Sequence, residues 1–145
     1  GMGMGGMFSV GPARVGKIKV ATVCLEHGKK DPNPRIPYEI KPLKEFTTNP
    51  QVIELCEMLG RQEIDQVSAQ AAAWHLTAGF TWNELARKVK VRHLNGSTEL
   101  FFSGQHLRRA AVAVSEAMYR SQSKTPSSLD NDEQVLETSY NTITR

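Results

Sequence analysis

The chain has 145 residues, of which 39% are hydrophobic and 23% charged, a balance that suits one globular domain with a core of its own. Lys and Arg total 18 against 15 Asp and Glu, and a net charge of +3 is too small to argue for a nucleic-acid partner by itself. No stretch approaches the roughly 20 apolar residues that a membrane span requires, and two cysteines are too few for a disulfide scaffold.

Residues 1–13 are Gly-rich, and GMGMGGMFSV contains neither a basic n-region nor an apolar h-region, so no intact signal peptide is read there. This N-terminus is expected to be flexible. From Val15 to Leu25 the pattern turns to period two, with Lys17 and Lys19 set against Ile18 and Val20, which predicts a β-strand ending at Cys24. Alternation puts Ile18, Val20, Thr22 and Cys24 on one face, with the thiol toward the core. A thiol so placed is by default an inert small hydrophobe. HGKKDPNPRIPYEIKP follows; its prolines at 32, 34, 37 and 42 forbid a helix and predict an extended excursion with a short strand near Tyr38–Ile40.

Asn49 as N-cap and Pro50 at the first helical position open a helix with Ile53, Cys56 and Leu59 inward and Gly60 closing it. The next stretch, IDQVSAQAAAWHLTA over residues 64–78, repeats Ile64, Val67, Ala71, Trp74 and Ala78 at helical spacing and ends near Gly79. Thr81 and Glu84 then form a capping box for a short helix with Trp82, Leu85 and Val89 inward. VKVRHL and STELFF flank Asn95-Gly96, the pattern of a hairpin with a type I′ turn. Ser103 caps a longer helix with a stripe of Leu107, Ala111, Val114 and Met118. Residues 122–145 are polar, mildly acidic and poor in core residues, so they are expected to be disordered or loosely docked.

These elements predict an α+β fold, a β-rich N-terminal third packed on a helical body of about four helices, with residues 14–121 forming a single domain. The expected core is Ile18, Val20, Ile53, Val67, Trp74, Trp82, Leu85, Leu107, Val114 and Met118.

Gln70 stands out within this pattern. It lies three residues after Val67 and four before Trp74, on or beside the apolar face, where an unpaired carboxamide costs on the order of 1–3 kcal/mol. Either the fold supplies its hydrogen-bond partners, for instance the backbone of the Pro-rich segment, or the amide is there for chemistry.

Other constellations carry less. Cys24 and His27 have half the spacing of a zinc site, with Cys56 and His75 as further ligands. Zinc sites show two close pairs, whereas this second pair is split over 19 residues, so no metal and no cofactor is assigned. Cys24 with His75 has the residue types of a nucleophile and its base. The run from Thr81 to Ala110, with Arg108 and Arg109 on its last helix, loosely suggests a helix-turn-helix, and nucleic acid is the partner of that alternative. Asn95-Gly96 and an aromatic run interrupt the turn such a motif needs, and the basic residues read more simply as a solvated face.

VCLEHG together with AQAAAWHLTAG resembles the internal thioester domains of bacterial surface adhesins, over about residues 15–90. Cys24, in Val23-Cys24-Leu25, matches the cysteine at a strand end, and Gln70, followed by Ala71, Ala72, Ala73 and Trp74, matches the glutamine of the helical motif. The resemblance implies a Cys24–Gln70 thioester that couples once to an amine on a protein or small molecule, without turnover. It implies Trp74 as a shield against water and His75 or His27 as the group that handles a proton. It also implies an extracellular or cell-surface location with the export signal removed, because cytosolic thiols would open the bond by exchange. A purely structural domain, with Cys24 as packing, Trp74 as core and His75 as a satisfied histidine, stands beside it.

Overall fold

A computed structural model describes residues 9–124. Its elements follow the order α1 (Leu43–Phe46), α2 (Pro50–Gly60), α3 (Gln66–Ala78), α4 (Trp82–Arg87), β1 (Val89–Arg92), β2 (Thr98–Leu100) and α5 (Gly104–Ser123). The fold is thus mixed α+β, with helices and one two-stranded antiparallel sheet. The expectation of disorder over 122–145 falls, from residue 125 on, outside the described residues; residues 122 and 123 complete α5.

Capping chemistry sets most of the helix starts. The Asn49 side chain accepts the Gln51 N–H at 3.0 Å with Pro50 at the first position of α2. Asp65 accepts the Ser68 N–H at the start of α3, and Gly79 (φ 71°) ends that helix in the left-handed conformation. Thr81 and Glu84 form the expected capping box of α4, and Ser103 with His106 forms another at α5.

α2, α3 and α5 pack on one another, and α5 also packs against α4. In α3, Ser68, Ala69, Ala71, Ala72, Ala73 and Trp74 are all buried, so the helix has covered sides rather than one apolar stripe. Small side chains let backbones approach closely, and Ala110, Ala113 and Ala117 of α5 answer the alanines of α3. That explains three corrections to the expected core. Val67 of α3 and Met118 of α5 are 40% and 42% exposed, because the alanines beside them take the interface. In α2 the buried residues are Val52, Glu54, Leu55, Met58 and Leu59, while Ile53 and Cys56 are only half-buried.

The N-terminal third departs furthest from expectation. Residues 15–24 form no helix or strand, residues 25–28 bend and turn, and the segment near Tyr38–Ile40 forms no strand either. Ile18 and Val20 are each 68% exposed, and Val23 and Leu25 pack against the core in their place. Alternation has period two, so this exchange is the one-residue slip that swaps the faces of an extended chain. A strand also needs a neighbour for its N–H and C=O groups, and β1 and β2 pair only with each other.

The hairpin lies where Asn95-Gly96 placed it, but its loop is longer than a two-residue turn. The His93 N–H donates to the Ser97 carbonyl at 2.9 Å, Gly96 (φ 85°) takes the left-handed position, and the Asn95 side chain accepts from Ser97. A register irregularity between Val89 and Val91 follows.

Candidate functional site

Gln70 and Cys24, 46 residues apart, meet through a reciprocal pair of hydrogen bonds. The Cys24 N–H donates to Gln70 Oε1 at 2.8 Å, and Gln70 Nε2 donates to the Cys24 carbonyl at 2.8 Å. A carboxamide has the donor–acceptor order of a peptide group, so Gln70 does for Cys24 what a neighbouring strand residue would do. The amide that looked costly in the sequence is therefore satisfied.

A second glutamine, which the sequence reading did not single out, extends the arrangement. Gln66 Nε2 donates to the Thr22 carbonyl at 2.8 Å. Residues four apart on a helix rise about 6 Å, and residues two apart on an extended chain advance about 6.7 Å. The two spacings nearly match, so Gln66 and Gln70 hold Thr22 and Cys24 as successive rungs. The segment expected to be a strand finds its partner in helix side chains. The signal was present as two glutamines at i and i+4, but Gln66 sits in the first helical turn, where a glutamine is unremarkable.

The Cys24 thiol takes a different direction, donating to the Glu26 carbonyl at 3.1 Å. Cys56 lies apart on α2, half-buried, and burial pushes its thiol pKa up. Both cysteines are free, and among the described residues no group of three or more His, Cys, Asp or Glu is arranged to hold a metal.

Trp74, one turn after Gln70, is 7% exposed and anchors the aromatic cluster beside the clamp. His27 stands edge-on to it (centroids 4.8 Å, 87°) and to Phe80 (4.7 Å, 74°). Phe101 and Phe102 meet Trp74 at 5.5 and 5.8 Å, and the Lys88 ammonium lies 5.0–5.7 Å from the Phe80, Trp74 and Phe101 ring centres. Desolvation, with the Lys88 charge adding to it, holds the His27 pKa below its ordinary value. Among the described residues, Trp74 Nε1 is the buried side-chain polar atom without a partner.

His75 does not belong to this group. Five residues after Gln70 on a helix, it points about 140° away. Its Nδ1–H donates to the Phe80 carbonyl at 2.7 Å, and its ring stacks on Trp82 at 4.2 Å. These contacts make His75 a brace of the α3–α4 corner. The helix-turn-helix alternative does not form either, since the hairpin separates α4 from α5. Two of its basic residues are engaged elsewhere, Lys88 over the aromatic rings and Arg109 with Asp65 at 3.4 Å.

Among the described residues, no helix is long and apolar enough to cross a membrane. No family model, no curated protein and no solved structure matches the chain.

Proposed function

We propose that this chain is an interaction module laid out like a thioester domain, in which Gln70 works as a hydrogen-bonded clamp for the segment around Cys24. The observation that carries the reading is the reciprocal 2.8 Å pair, which uses the carboxamide's donor and acceptor on the Cys24 backbone. An amide so engaged, with the thiol turned to the Glu26 carbonyl, is arranged to hold a peptide in place. The decisive measurement is the mass of the intact, denatured protein before and after methylamine. The clamp reading expects the full sequence mass, no methylamine uptake and two titratable thiols.

The covalent form is the second reading, and the adjacency of Cys24 to Gln70 favours it. The thiol would leave Glu26, the carboxamide would leave the Cys24 backbone, and sulfur would attack Cδ of Gln70. The new S–C bond replaces the C–N bond, and Nε2 departs with the thiol proton as ammonia. Trp74 and His27 border the place where this happens, as a water shield and a proton carrier would. The domain would then act outside the cell, at a cell surface, and its partner would be an amine. A mass short by one ammonia, which methylamine raises by one whole methylamine to leave an N-methylated Gln70 and a free Cys24 thiol, establishes this form and removes the clamp reading.

A further inference from the structure

We propose that the α3 face carrying Gln66 and Gln70 is a groove for a peptide, filled in cis by residues 22–27 and exchangeable for the same residues of a second copy. The proposal rests on the clamp reading and names the partner of that site. All three hydrogen bonds from α3 to the segment go to backbone atoms: the Thr22 carbonyl, the Cys24 N–H and the Cys24 carbonyl. Such bonds recognise an extended chain, and selectivity comes from the side chains between and beyond them. Val23 and Leu25 pack on the core, and His27, itself exposed, sets its ring against Trp74 and Phe80. The ligand this groove fits is apolar–x–apolar–x–His, held by its backbone at the residues flanking the first apolar side chain and bending from the second one toward the histidine, a pattern this chain itself supplies.

The connection makes a second copy a feasible source. Residues 28–42 join the docked segment to α1, carry no helix or strand, and are exposed throughout. Fifteen residues reach about 50 Å when extended, enough to seat the segment on a neighbouring molecule. Residues 15–21 are exposed and add no backbone hydrogen bond to the helical body, so nothing before the clamp fixes which copy is used. A swapped pair repeats the same contacts in trans, which makes exchange a low-cost route to a dimer. The Gln70 site of each copy is then completed by its partner's Cys24 backbone.

The test uses the full chain with Cys24→Ser and Cys56→Ser, which keep the backbone that the clamp reads, and a spin label on Ala21→Cys. Labelled chain of natural isotope content is mixed at high concentration with ¹⁵N-labelled chain bearing no spin label. Exchange expects a dimer by sedimentation and broadening of the Gln66 and Gln70 side-chain amide signals of the ¹⁵N chain. Gln66→Leu/Gln70→Leu in the spin-labelled chain should leave that broadening intact, because the clamp belongs to the recipient. A monomer at every concentration, or a dimer without broadening in trans, overturns the exchange. A control with isotope and spin label on one dilute chain separates the two readings. Broadening there with none in trans sinks the exchange alone, and its absence there removes the clamp as well.

Discussion

Gln70→Leu keeps the size of the side chain and removes both bonds to Cys24, leaving a part-buried N–H and C=O without partners. On the order of 1–3 kcal/mol should be lost, together with hydrogen-exchange protection at the Cys24 amide. Cys24→Ser should stay within about 0.5 kcal/mol, since the clamp reads backbone and a serine keeps it. Under the covalent reading both substitutions break the same bond and cost alike, so urea denaturation of the two variants side by side distinguishes the readings. Trp74→Ala should cost about 3–5 kcal/mol, because the ring is buried among Phe101, Phe102 and the core. A change of only about 0.5 kcal/mol would put the ring at the surface. Gln70 was legible because a carboxamide on an apolar face demands an explanation. Lys88 was not, because a lysine before a hairpin looks solvated until the rings beneath it are placed.

At the scale of elements, capping residues were read correctly wherever two of them agreed, as at Asn49-Pro50 and Thr81/Glu84. The faces of α2 and α5 were each displaced by about one residue. The largest side chains set the apparent stripe, yet the close approach of α3 and α5 is made by alanines, which carry little weight in a hydrophobicity pattern. Ala72→Leu tests that account. Ala72 is fully buried, and its extra volume has nowhere to go, so a loss of about 1–3 kcal/mol is expected. Equal or greater stability in thermal unfolding would show a looser α3 than the alanine contacts imply. The missing N-terminal strand has a cause no local pattern reports: its hydrogen bonds are made by Gln66 and Gln70, residues far along the chain.

Across the whole molecule, charge ties the last turns of α5 to α2. Glu54, 2% exposed, accepts from Arg61 at 3.0 Å and from Lys124; Lys124 also reaches Glu57 at 2.8 Å, and Arg120 reaches Glu63 at 2.6 Å. The Lys124 hydrogen bond holds the Glu54 and Glu57 carboxyls below their usual range, and Arg61 does the same for Glu63. A carboxyl depressed in the folded state stabilises fully above its unfolded pKa, about 4.3, and that stability is lost as pH falls through the folded value. His27 is also depressed, by desolvation and by Lys88, so protonation opposes its docking; its contribution is whole above about 6.5 and declines as pH falls below that. Acidification should therefore act in two steps. As pH falls below about 6.5, exchange protection at the Cys24 amide should begin to fall while the thermal midpoint of the helical body barely moves. Below about pH 4.5 the midpoint itself should drop, and Glu54→Gln should flatten that second step without touching the first. Simultaneous loss of both signals would mean that segment 22–27 and the helices unfold as one unit, and that His27 does not govern the docking.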